Sequence, residues 1–200
     1  LDIYYAAFRV PDLIFNLLVL GALSAGFVPV LTRLIKDWQC QRTDGLFGVP
    51  NKRAWELVNN IFNLLAVVLV FLSALGIVFA PFLTKLIAPG FPSAKQALTA
   101  ELTRIMFLSP IFLGLSSVFG GVLQSFKRFF VYSLTPIVYN LGIIAGALYF
   151  VPVWGVKGLA YGVVLGAFFH MIIQVPVVWR LGWRPAWLFD WRDKYVREIT

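Results

Sequence analysis

Residues 54–87 read AWELVNNIFNLLAVVLVFLSALGIVFAPFLTKLI, and between Glu56 and Lys85 they hold no charged residue. A hydrocarbon core of about 30 Å takes on the order of 20 apolar residues to cross as a helix. A helix pairs its own backbone polar groups, which lipid cannot do for it. The stretch therefore reads as a transmembrane helix with residues to spare. Four further blocks of the same character lie around it, at 3–35, 98–123, 129–153 and 159–179. The pattern predicts an all-α polytopic membrane protein with five transmembrane helices.

Composition points the same way. Hydrophobic residues make up 60% and charged residues 13%, with a mean hydropathy of +0.84. A soluble domain has about 45–50% and about 25%. The net charge of +8 does not indicate nucleic acid, because no basic cluster sits among aromatics on a soluble module. It fits anionic headgroups and membrane topology instead. The single Cys40 rules out an internal disulfide or a cysteine metal cluster. No phosphate loop, nucleophile elbow or metal-ligand spacing occurs. With one His and no buried carboxylate pair, the expectation is a non-enzyme without cofactor or metal.

Basic residues set orientation through the short loops. Arg33, Lys36, Arg42, Lys52 and Arg53 follow block one, Lys127 and Arg128 follow block three, and Arg180, Arg184, Arg192, Lys194 and Arg197 follow block five. These alternate connections hold twelve of the 17 basic residues. The rule places Leu1 outside, the loops at 37–53 and 124–128 inside, those at 88–97 and 153–157 outside, and the tail inside. Block one is too long for a simple span, and Pro11, Gly21 and Pro29 are its expected bends or breaks. The chain opens on Leu1 directly before a hydrophobic stretch and stops at Thr200 without an anchor. It reads as an internal piece of a longer protein, with 1–181 a partial transmembrane lobe and 182–200 a tail or link.

Small residues mark expected helix contacts. Gly142 and Gly146 form one GxxxG step, and Gly158, Gly162 and Gly166 form two more, the spacing that lets backbones approach closely in lipid.

Polar groups at membrane depth are functional candidates by default. Asp2, Arg9 and Asp12 open block one, with Asn16 sharing a face with Asp12 at i, i+4. The two carboxylates cap helix segments, pair with Arg9 at the headgroup level, or line a cavity. Asn140, four residues after Pro136, is expected to bond a carbonyl that the proline frees. His170 and Gln174 are also i, i+4, and the simplest reading of the His is a hydrogen-bonded packing residue. Glu56, Asn59, Asn60 and Asn63, on one side of block two, are expected to face the inner aqueous phase or a wet cavity.

An ordered series of motifs resembles the MviN/MurJ family of lipid II flippases. DIYYAAFRVPD (2–12) followed by GALSAGFVP (21–29) is similar to the family's second transmembrane helix. APGF (88–91), GVLQSFKRF (121–129), PIVYN (136–140) and LAYG (159–162) resemble later family motifs in the same order. The resemblance implies that the chain is helices two to six of an amino-terminal six-helix lobe, enclosing a cavity with a second lobe. It implies a bacterial cytoplasmic membrane protein that moves an undecaprenyl-pyrophosphate-linked peptidoglycan precursor outward by alternating access. Asp2 and Arg9 carry over by motif as substrate-site residues, with Arg9 contacting phosphate and Asp2 tuning or holding it. Asn16, Ser24 and Asn140 are further candidates. Two positions depart from the family: a basic pair lining the cavity is replaced by Phe15 and Asn16, and a Glu by Leu20. A flippase for another lipid-linked oligosaccharide, a cation-coupled drug exporter of the same superfamily, and a transport-dead cell-wall scaffold are the alternatives.

Overall fold

The computed structural model describes residues 2–17, 24–41 and 52–199, with the backbone alone at 24–25, 37–41 and 197–199. Among the described residues every regular element is a helix. In chain order these are α1 (Asp2–Phe15), α2 (Ser24–Gln41), α3 (Lys52–Ile87), α4 (Ser93–Met106), α5 (Ser109–Ser125) and α6 (Phe129–Ala145). A wider π turn at Gly146–Phe150 leads into α7 (Val151–Trp154), followed by α8 (Lys157–Ile172), α9 (Val175–Arg180) and α10 (Lys194–Ile199).

Four helical stretches are long and apolar enough to cross a bilayer: Lys52–Ile87, Ser93–Ser125, Phe129–Trp154 and Lys157–Arg180. They account for four of the five expected blocks. The first block is described as two helices, α1 and α2, that continue through Pro11 and Pro29. Its expected break at Gly21 lies outside the described residues. At 36 residues α3 would reach roughly 54 Å, well beyond a hydrocarbon core.

Prolines interrupt the later spans where the sequence places them, and neighbouring hydroxyls repair the damage. Pro110 has no N–H to offer the Met106 carbonyl four residues back, and Ser109 Oγ donates to that carbonyl at 2.7 Å. Pro136 likewise frees the Tyr132 carbonyl, and Thr135 Oγ1 donates to it at 2.8 Å. A hydroxyl immediately before the proline thus replaces the lost donor, as backbone freed in lipid requires. Asn140 was expected in that role. Its Nδ2 instead donates to the carbonyl of Pro136 itself at 2.9 Å, because four residues of helix bring it over Pro136, not over Tyr132.

Two apolar centres hold the helices together. The larger joins Phe27 and Leu31 of α2, Val58 and Ile61 of α3, Phe119 and Val122 of α5, Val178 of α9, and Trp183 and Val196 beyond it. The smaller gathers Ala7 of α1, Leu102 and Met106 of α4, and Ala160 and Val163 of α8. α6 crosses α8 glycine upon glycine. A Cβ built at Gly162 would stand 2.7 Å from Gly146 Cα and 3.2 Å from the Gly142 carbonyl oxygen, so the two backbones touch as the GxxxG spacing predicts. The outer faces carry large apolar side chains, among them Phe71, Val78 and Phe82 of α3, Phe130 and Ile137 of α6, and Leu148 of the π turn. An apolar surface of that extent suits hydrocarbon and not water.

Residues 183–196 fold back onto α2 and α3. The three asparagines of α3 are buried against that return and face neither bulk water nor a wet cavity. Asn59 Nδ2 donates to the Arg184 carbonyl at 2.9 Å, and Asn59 Oδ1 accepts from Trp183 Nε1 at 3.0 Å. Asn60 exchanges a reciprocal pair with the Asp190 backbone at 2.7 and 2.9 Å. Asn63 donates to the carbonyls of Ala186 and Leu188 at 2.8 and 3.1 Å. A segment without its own ladder must have its backbone satisfied somewhere, and here side-chain amides do it.

Candidate functional site

α1 carries the polar face that the sequence singles out. Asp2, Arg9 and Asn16 are exposed on it and Asp12 is half-buried. Asn16 Nδ2 donates to Asp12 Oδ2 at 3.0 Å, so the i, i+4 pair forms as expected. The carboxylate accepts this bond without being neutralised, because an amide brings no charge. Asp2 and Arg9 are seven residues apart on one helix, which separates their backbones by about 10.5 Å along the axis. They form no ion pair with each other among the described residues. The guanidinium is presented to whatever lies beside α1, a fork of donors suited to a phosphate or carboxylate. The Ser24 side chain lies outside the described residues.

Asn140 is exposed on α6, one turn beyond Pro136. Its amide oxygen stays available while its nitrogen is tied to the Pro136 carbonyl. No hydrogen bond joins Asn140 to α1 among the described residues. The described contacts thus give a polar stripe along α1 and a polar position on α6, with no direct hydrogen bond between them.

A second polar centre lies inside the bundle, where α5, α6 and the α8–α9 junction meet. Ser116 Oγ and His170 Nδ1 are 2.6 Å apart, with the proton's position set by the imidazole tautomer. Gln174 Nε2 donates to Ser116 Oγ and, at 3.0 Å, to the His170 carbonyl. Tyr139 sets its ring edge-on to the imidazole with centroids 6.3 Å apart. The i, i+4 spacing of His170 and Gln174 was legible, but their partner Ser116, 54 and 58 positions away, was not. The network occupies the imidazole's Nδ1 and braces α5 against α8, which is the packing role expected of this His.

The network borders a cavity of about 360 Å³, whose lining includes Phe15, Gln124, Tyr132, Ser133, Thr135 and Gln174. Among the described residues no Lys, Arg, Asp or Glu lines it. Phe15 is one of the two positions where the resemblance places a basic pair, and here it adds a ring to a neutral wall. Among the described residues no group of three His, Cys, Asp or Glu side chains is placed to hold a metal ion.

Helices of this length, their apolar outer faces and the glycine crossing together define a polytopic helical membrane protein. The family model described as "Lipid II flippase MurJ" matches residues 1–200, and the chain belongs to that family. It is 34% identical over 179 residues to "Lipid II flippase MurJ" of Burkholderia cenocepacia, an alignment covering 88% of this chain and 33% of that protein. It is 30% identical over 187 residues to "Probable lipid II flippase MurJ" of Treponema pallidum, covering 92% and 33%. The corresponding protein of Buchnera aphidicola subsp. Schizaphis graminum is 28% identical over 184 residues, covering 90% and 34%. The chain spans about one third of the length of these relatives.

Proposed function

We propose that this chain is the part of a lipid II flippase that contributes helices two to six of its amino-terminal lobe. In this reading the whole protein moves an undecaprenyl-pyrophosphate-linked peptidoglycan precursor across the bacterial cytoplasmic membrane by alternating access, without making or breaking a bond. The family match over the full 200 residues carries the reading. α1 and α2 together supply the fifth crossing, with Leu1 outside and the tail inside, as the basic loops require. The exposed stripe of Asp2, Arg9 and Asn16 on α1 then faces the space between the lobes. Arg9 contacts the head group, whose pyrophosphate asks for fixed cations.

A cargo other than lipid II is favoured by one observation: the neutral cavity wall at Phe15, where a cation would serve a pyrophosphate. Complementation separates the two. The full-length gene is expected to rescue a strain depleted of its lipid II flippase, and failure at normal membrane levels would point to another lipid-linked cargo. Once rescue is established, Arg9→Ala should abolish it at equal expression, while Arg9→Lys keeps part because charge survives without the planar fork. If Arg9→Ala rescues as wild type does, Arg9 is an interfacial anchor and no part of the site.

A further inference from the structure

The return segment after α9 exposes an unusual set of side chains. Its carbonyls at 184, 186, 188 and 190 all turn toward the α3 asparagines. Contacts at every second residue are the register of an extended chain, in which alternate side chains leave on the same face. Trp187 and Phe189 therefore project together, and Trp191 follows at the turn that ends the segment. They are 88%, 50% and 61% exposed. Trp183, by contrast, is buried against Phe119 with ring centroids 5.0 Å apart, and Val196 is buried at the other end. The segment is thus pinned at both ends and along its backbone, and its aromatic face is left uncovered.

Cations accompany the rings. Arg180, Arg184, Arg192 and Lys194 are exposed. The segment's carboxylates are engaged locally: Asp190 Oδ1 accepts from the Arg192 N–H at 2.9 Å, and Asp193 Oδ1 from the Tyr195 N–H at 2.7 Å. Among the described residues no carboxylate forms an ion pair with Arg180, Arg192 or Lys194. All of this follows directly upon the last membrane-crossing stretch, which ends at Arg180.

We propose that residues 183–194 form an interfacial strap that binds the anionic phospholipid surface of the cytoplasmic leaflet. Trp187, Phe189 and Trp191 enter the boundary between headgroups and acyl chains, where amphipathic rings concentrate. Arg180, Arg184, Arg192 and Lys194 face the phosphates, to which basic residues beside a span are attracted. The asparagine clamp then ties one end of α3 to a fixed depth in the membrane. The choice of leaflet rests on the orientation proposed above. The choice of lipid rests on the charge and the exposed rings.

The test uses the full-length protein with its native cysteines replaced and a single reporter, Trp187→Cys or Trp191→Cys, carrying an environment-sensitive fluorophore. It is reconstituted in nanodiscs of phosphatidylethanolamine with phosphatidylglycerol, or of phosphatidylcholine alone. The strap predicts strong quenching by a spin label near the lipid headgroup, weak quenching by aqueous iodide, and less lipid contact in phosphatidylcholine. Arg192→Glu with Lys194→Glu should shift the balance toward water by roughly tenfold or more, the order expected for removing two surface cations. Dominant iodide quenching overturns the proposal. So does protection from both quenchers, since another part of the protein then covers the rings, and so does equal lipid contact in both discs. Labelling of Trp187→Cys in intact cells by an impermeant thiol reagent would instead overturn the orientation, whatever the quenching shows.

Discussion

Thr135 illustrates how a single hydroxyl keeps a broken helix in the membrane. It is 1% exposed, and its Oγ1 is the donor that the Tyr132 carbonyl lost to Pro136. A buried acceptor without a partner costs about 1–3 kcal/mol. Thr135→Val keeps the shape and deletes the donor, so the full-length protein in detergent should lose about 1–3 kcal/mol of stability and unfold at a lower temperature. Thr135→Ser should stay close to wild type. Adding Pro136→Ala to Thr135→Val should recover most of the loss by restoring the backbone N–H. An unchanged melting curve for Thr135→Val would mean that another donor reaches the carbonyl. The same logic applies to Ser109 and Pro110. In both places the residue pair is adjacent in sequence, so the repair is readable once the proline's register is known. Asn140 was the less direct choice, since its amide reaches only the carbonyl one turn below it.

Among the elements, the crossing of α6 and α8 is the contact most exposed to disruption. Gly142 and Gly146 meet Gly162 and Gly166 with no side chain between the backbones. Dispersion from close approach drives such contacts in lipid, where burial of apolar surface gives no gain. Gly162→Leu should force the helices apart and cost at least the roughly 1–3 kcal/mol of an overpacked core. The measurement is the monodisperse fraction after membrane extraction of the full-length protein. A yield equal to wild type would show that α8 can turn this face elsewhere. Gly162→Ala should fall between, since even its Cβ would stand 2.7 Å from Gly146 Cα.

For the whole molecule, the central question is which side of the membrane each end occupies. Twelve of the 17 basic residues fall on alternate connections, and the rule places those connections in the cytoplasm. Cys40 lies in the last turn of α2, beside the loop that carries much of this charge. In the full-length protein with Cys40 as its only cysteine, an impermeant thiol reagent should label it only after permeabilisation. Labelling in intact cells would invert the proposed threading. The strap, the α3 asparagines and Cys40 would all move to the outer face with it.

Fold class was decided by the chain alone. Runs such as 57–84 leave lipid as the only solvent in which they need not be hidden, and each backbone in them can be satisfied within its own helix. The GxxxG steps were legible for a related reason, since periodicity along one helix already states which small residues share a face. The polar stripe of α1 followed from the same local rule. The tertiary structure alone decided what pairs across long separations. Ser116 finds His170 and Gln174, and Asn59, Asn60 and Asn63 take up the backbone of residues 184–190. Read locally, those asparagines are polar groups at a helix end, which water would suit equally well. Only the returning chain, more than 120 positions later, brings the carbonyls that they bind, and nothing in the spacing of either segment encodes that meeting.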